Sequence, residues 1–265
     1  MIATLILKTW HDRWKSFLGW ALVIIFMTSI QLTVYPTIAQ SGAAAKQFID
    51  SYPDAFKEMF RMTDYTSGSG FLATELYSLM LPLVIIGLGV TWGAGATAEE
   101  EERGTADILF TLPVSRNQII IGKIIAALVA MTILGSITLI NIEIGKGLAD
   151  LTVSSVNTLY ATISCVLLGF FFAGISLILG SVSGKKGIAL GGSTGLAIVA
   201  FLFFSLAPLV DTFDYLTPIN PFQWAIGENQ LAEGLDAIGM IKLGIASVAL
   251  YCGALFFLNR RDIRA

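Results

Sequence analysis

Residues that could do chemistry are densest in one stretch of this very apolar chain, 98–123. Glu99, Glu100, Glu101 and Glu102 are followed by Arg103-Gly104-Thr105, Asp107, Ile108, Leu109 and Leu112, then by the break Pro113-Val114-Ser115-Arg116. Elsewhere the supply is thin. His11 is the sole histidine, which removes His-based triads and multi-His metal sites. Cys165 and Cys252 lie inside apolar runs and make neither a disulfide framework nor a metal site. Gly180–Lys186 (GSVSGKK) approximates a nucleotide loop, but its spacing is one residue short and Lys186 stands where a magnesium-binding Ser or Thr belongs. Gly122-Lys123 and Gly145-Lys146 lack that motif as well. ATP hydrolysis on this chain is therefore not expected. What 98–123 offers is a contact: a charged loop against which a soluble partner can push. It reads equally as a solvated loop with a charge run, and pattern alone does not choose.

The elements that must position this loop follow from hydrophobicity. The 265 residues are 55% hydrophobic and 13% charged, with a mean hydropathy of +0.77. A soluble domain carries about a quarter charged residues, so the composition is that of a membrane protein. No basic stripe with interleaved aromatics is present, and no nucleic-acid partner is expected. The net charge of −3 says little, because the charges cluster.

A bilayer core takes about 20 apolar residues as a helix. Six segments meet that need, roughly 17–38, 75–97, 118–142, 157–182, 188–210 and 238–258. The expected fold is all-α and integral to the membrane, a single transmembrane domain. Ahead of the first span, Ile2, Leu5, Ile6, Trp10, Trp14 and Phe17 recur at helical spacing, with Lys8, His11, Asp12 and Lys15 on other faces. That pattern predicts a helix over 2–15 lying in the membrane interface; an ordinary soluble amphipathic helix would share it. Ala43-Ala44-Ala45 resembles a signal-peptide cleavage site, but the apolar core before it is long and an uncleaved span is expected.

Between spans, 39–74 is polar, with Phe48, Tyr52, Phe56 and Phe60 at helical spacing and Pro53 as a break. A surface helix or helical hairpin is expected there, with Ser67-Gly68-Ser69-Gly70 as a flexible turn. In 98–123, Glu99–Glu102 continues the second span, and Thr105–Leu112 sets Ile108, Leu109 and Leu112 on one side of a short helix. Pro113 stops that helix and Ser115 can cap the third span. The segment 211–235, with Pro218, Asn220, Pro221, Phe222 and Trp224, is too polar to span and too apolar for a free loop. Short helices dipping partway into the outer leaflet are expected, with their irregular backbone covered by protein.

With the N-terminus in the cytoplasm, eleven of the sixteen Lys and Arg residues fall on the inner side. The positive-inside rule then selects six spans with both termini cytoplasmic. No acidic or histidine relay crosses the midplane, which lowers an ion-coupled carrier and places the energy source outside this chain. Gly180 and Gly184, and Gly187, Gly191 and Gly195, are spaced by four. Such spacing lets helices approach closely, either within the chain or as a sliding or dimerising face. The spans offer mostly aliphatic and Phe surface, with scattered Thr28, Ser29, Gln31, Thr33 and Asn141, which suits a hydrophobic or amphiphilic cargo.

The order of these features resembles the permeases of ATP-binding-cassette exporters of the type V class. The resemblance is carried by the Glu-rich end, Arg103-Gly104-Thr105, Leu109, Pro113-Val114-Ser115-Arg116 and Gly122-Lys123. Tyr35-Pro36, Gly70-Phe71-Leu72, Asn220-Pro221-Phe222-Gln223-Trp224 and Asn259-Arg260-Arg261-Asp262-Ile263 add to it. It covers most of the chain; each motif is loose and their joint order is more specific. It implies an elbow helix at 2–15, a coupling helix at 104–112 with Glu99–Glu102 and Arg103 at its start, and re-entrant helices before the last span. It implies a separate ATPase subunit that carries ATP and Mg, with no cofactor on this chain. It also implies a second permease copy or paralogue in a homo- or heterodimer, and an inner (plasma) membrane location. The substrates of such permeases include antibiotics, peptides, lipids and polysaccharides, and the resemblance does not choose among them. A membrane anchor that transmits force without moving a substrate would use the same coupling helix, and an ion-coupled carrier is the remaining alternative.

Overall fold

The computed structural model describes residues 2–59, 62, 64–97, 99–102 and 115–260. Ten α-helices are named here: α1 (Ile2–Asp50), α2 (Asp54–Met59), α3 (Gly68–Thr97), α4 (Glu99–Glu102), α5 (Arg116–Leu148), α6 (Ser155–Ser183), α7 (Lys186–Leu206), α8 (Pro221–Ile226), α9 (Gln230–Glu233) and α10 (Ala237–Arg260). Two 3₁₀ turns, Ala207–Leu209 and Asp211–Ile219, link α7 to α8. Among the described residues there is no strand. Six helices are long and apolar enough to cross a membrane, and they match the six segments expected from hydrophobicity, the fifth ending a few residues short of 210.

Helices α3, α5 and α6 form the inside of the bundle. About half or more of their most apolar windows is buried, against 28% for α1 and 22% each for α7 and α10. The outer three therefore present aliphatic faces outward, including Leu22, Phe26, Leu202, Ile245 and Phe257. In water such a surface would drive association; in lipid it costs nothing. Helix α6 is the hub and packs on α3, α5, α7 and α10. Its contact with α3 is the closest because both helices are small there. A Cβ on Gly89 would lie 2.9 Å from the Gly169 carbonyl, and one on Gly93 2.7 Å from the Ala173 carbonyl. Ser176 Oγ–H donates to the Val90 carbonyl across that seam at 2.9 Å.

The first helix differs from the expected outline. The 2–15 stretch is no separate element: helical backbone runs unbroken from Ile2 until Gly42, where φ is +30°. No helix breaker stands between Ile2 and Phe17 to start a new element. At 1.5 Å per residue, the 41 residues Ile2–Gly42 reach about 60 Å, twice a hydrocarbon core. Some of the polar groups scattered along the spans pair helices. Asn141 Nδ2 donates to the Ile25 carbonyl at 3.1 Å and to Ser29 Oγ at 3.2 Å, clipping α5 to α1, while Gln31 reaches Met80 Sδ on α3.

The expected flexible turn at Ser67–Gly70 is instead the start of α3. Ser67 is its N-cap, and its Oγ accepts the Gly70 N–H at 3.1 Å. Gly68 is buried where a Cβ would stand 2.7 Å from the Thr152 carbonyl, so glycine serves close approach rather than mobility. Within α3, Ala73–Met80 is wound as a π-helix. Pro82 follows it; its ring crowds the preceding turn and its nitrogen donates nothing, which the wider winding accommodates. Helix α5 starts where the sequence predicts, with Ser115 and Gln118 in a reciprocal capping box. Helix α6 ends at Gly184, whose left-handed φ of +65° makes the tight turn into α7.

Candidate functional site

The bundle end that carries the acidic run is tied together by one carboxylate. Glu99, at the start of α4, ion-pairs with Arg13 of α1. Its other oxygen lies 3.2 Å from Lys186 Nζ, at the start of α7. Glu102 Oε1 accepts the Lys186 backbone N–H at 2.7 Å. Three elements far apart in sequence thus meet at one point. The meeting fixes parity: the N-terminal part of α1, the end of α3 and the α6–α7 turn share one side of the bundle.

The surroundings explain why these side chains stay in place. The Arg13 guanidinium stands 5.7 Å over the Trp92 ring, a cation–π contact, and Trp10 meets Trp92 edge-on at 5.7 Å. Gly95 faces Arg13 without a side chain, and a Cβ there would overlap the guanidinium. The Glu99 and Arg13 side chains are 13% and 20% exposed, so water screens the pair only in part. On the other flank, Ser183 Oγ accepts the Lys185 N–H at 3.2 Å and shapes the turn that presents Lys186. Lys186, which fails as part of a nucleotide loop, serves here as a strut.

The expected coupling residues divide accordingly. Glu99 and Glu102 are brought into the cluster. Glu100 and Glu101 share the α4 backbone. Arg103, Gly104, Thr105, Asp107, Ile108, Leu109 and Leu112 lie outside the described residues. Of the N-terminal residues, Leu5 packs over Gly122 of α5, where a Cβ would be 2.9 Å from the Leu5 Cβ, and Trp10 joins the buried cluster. Ile2 and Trp14 are exposed. Arg13 and Lys186 are the residues that sequence reasoning passed over as site members. The available signal was charge sign: two cations and an acidic run, all at segment ends assigned to one side.

At the opposite end, 211–235 is held down rather than free. Asn220 caps α8 by accepting the Phe222 N–H and donates from Nδ2 to the Ala200 carbonyl at 2.8 Å. Trp224 Nε1–H donates to the Pro218 carbonyl at 2.8 Å. Phe222 is buried against Phe172, Phe201 and Phe204. Gln230 is buried and paired with Ser164 of α6, and Asn157 donates to the Leu231 carbonyl. Phe222, Ala225, Gln230 and Leu231 thus anchor the segment in the bundle, while Tyr215, Ile219 and Leu235 face outward. Among the described residues no group of three His, Cys, Asp or Glu could hold a metal, and both cysteines are free.

A helical bundle whose six long apolar helices present lipid-type outer faces, with its charges gathered in a knot at one end, is a multi-pass membrane protein. The chain belongs to the ABC-2 family of transporter proteins: the model described as "ABC-2 family transporter protein" matches residues 3–263. It is thereby the transmembrane, permease-type subunit of an ABC system, a family that in general works with an ABC ATPase. Nothing among curated proteins matches it.

Proposed function

We propose that this chain is the permease half of an ATP-driven exporter of the type V class, moving a hydrophobic or amphiphilic cargo out of the cytoplasm. A separate ATPase subunit binds ATP and Mg. The observation that carries the reading is the knot at Glu99. Arg13 and Lys186 tie α1 and α7 to the short helix that leads directly into 103–114, so a displacement of that loop pulls on three elements at once. In this reading 104–112 is the coupling helix that the ATPase grips, 2–15, continuous with the first span, takes the elbow's place at the inner surface, and 211–235 re-enters the outer leaflet. The termini are cytoplasmic and the membrane is the inner (plasma) membrane.

Support for a second permease copy comes from α7. Gly187, Gly191 and Gly195 face open space, with no neighbour within 4 Å of an added Cβ, whereas Gly180 is used inside the chain against Thr97. Small residues four apart with no intrachain partner are what a close helix–helix contact between copies needs.

The docking test is Leu109→Asp. A carboxylate placed in an apolar contact costs about 2–5 kcal/mol, so the variant is expected to insert normally and to lose co-purification with its ATPase. Undiminished co-purification and undiminished cargo-stimulated ATP hydrolysis would remove the coupling role from this loop.

A further inference from the structure

A lateral groove runs between α3 and α7. Its deeper part, about 290 Å³, is walled by Leu83, Ile86, Val90, Ala197, Ile198 and Phe222. Its outer part, about 500 Å³, continues from it, sharing Leu79 and Phe201, and is bounded by Glu75 and Ser78. The volumes are those of small-ligand sites. Leu79 and Leu83 are exposed, so the groove opens sideways.

The groove has a polarity. Its inner walls are apolar and its outer end carries one carboxylate, Glu75. Among the described residues the partner of Glu75 is the Tyr65 hydroxyl, which donates to Oε1 at 2.6 Å, and no cation pairs with it. Burial, and then the contact with Glu75, push the Tyr65 phenol above its ordinary value, so Tyr65 stays a donor and anchors the carboxylate. Glu75, Ser78 and Leu79 all lie on the π-helical segment Ala73–Met80, whose widened turns put Leu76 and Tyr77 in the core and the others along the groove. A π-segment distorts the hydrogen-bond ladder and persists most often where a site uses it.

We propose that this groove binds a single-chain amphiphile with a positively charged head, the tail along Leu83, Val90 and Phe201 and the head at Glu75. An anionic or neutral head gains nothing at that carboxylate, and an anionic one is repelled. The inference deepens the permease reading by naming a class of cargo, and rests on it for the step from binding to export. Binding itself needs neither ATP nor the ATPase.

The experiment uses the full chain reconstituted in lipid nanodiscs. Two photoreactive probes with the same diazirine-bearing alkyl tail are compared, one ending in trimethylammonium and one in sulfate. After illumination, labelled peptides are mapped. The expected result is labelling within 79–90 and 194–206 by the ammonium probe, about fivefold above the sulfate probe, the scale of a part-exposed ion pair. Glu75→Gln, which keeps an acceptor for Tyr65, brings the two probes to equal labelling. Leu83→Trp, which fills the groove, lowers labelling by both. Equal labelling of the wild-type chain by both probes would mean a slot for ordinary bilayer lipid and would overturn the proposal. So would a preference unchanged in Glu75→Gln. Labelling by neither probe would mean that a second copy or the lipid excludes ligand there, and would overturn it too. None of these outcomes bears on Leu109 or on ATPase docking, so the two readings fail separately.

Discussion

At the scale of the residue, Glu99 is where geometry and charge agree best. It is mostly buried and faces two cations from different helices. Removing one member of a buried pair leaves the others unpaired and costs about 3–5 kcal/mol, while an exposed pair is worth about 0–1 kcal/mol. Arg13 and Lys186 are 20% and 31% exposed, which places Glu99→Gln between those limits, at about 1–3 kcal/mol. The expected outcome is a lower unfolding midpoint in detergent. A double-mutant cycle between Glu99→Gln and Arg13→Gln should give a coupling of about 0.5–3 kcal/mol, with the two losses far from additive. Strict additivity would mean that the contact carries no energy. Gly95→Ala reaches the same point from the backbone side: its methyl displaces the guanidinium, so the variant should mimic the loss of Arg13.

At the scale of the element, the α3–α6 seam is the most sensitive to side-chain size. Gly93→Val adds two methyl groups and a branched Cβ where even one carbon would meet the Ala173 carbonyl at 2.7 Å. Overpacking costs about 1–3 kcal/mol, and here the obstacle is backbone, so relief requires the helices to separate. The variant is expected to melt earlier than one with the same substitution at Gly191, which faces open space. Equal effects at both sites would deny the seam its role. The six long helices were legible in the sequence because lipid demands about 20 apolar residues per crossing, a requirement that is local and additive. Ser115 was legible as a cap because its partner is three residues away. Two local readings went astray for the same reason. Ser67–Gly70 looked like a flexible turn, yet the glycine that matters is small because Thr152, more than eighty residues away, passes over it. The 2–15 stretch looked separable because amphipathicity reports which faces differ in polarity, while nothing in that signal marks a break in the backbone. The Glu99 cluster was half legible: the acidic run stood out, but its partners Arg13 and Lys186 are joined to it by the fold alone.

At the scale of the whole molecule, the question is where the energy for movement enters. Among the described residues no Asp, Glu, Lys, Arg or His is fully buried; the fully buried polar residues include Thr, Ser, Asn and Gln. An ion-coupled carrier takes its energy through an ionisable group inside the membrane, which must change protonation or ion occupancy during the cycle. Some of the neutral polar groups here are hydrogen-bonded across helix seams, such as Tyr77 with Thr162 and Ser164 with Gln230, and none has a charge state to change at physiological pH. The charged residues gather at the ends, above all at the Glu99 knot beside the loop assigned to the ATPase. The arrangement therefore predicts the dependence of export on its energy source. In proteoliposomes containing the permease and its ATPase, cargo efflux should continue when a protonophore collapses the proton gradient and stop when the ATPase is made catalytically dead. Cargo should raise the rate of ATP hydrolysis, and Glu99→Gln should lower that stimulation more than it lowers basal hydrolysis, because in the proposed reading the knot links the loop that the ATPase grips to the spans. Efflux that follows the proton gradient and ignores the dead ATPase would transfer the chain to the carriers. Hydrolysis stimulated only by a partner protein, with no cargo moved, would make the same levers a force transmitter across the membrane.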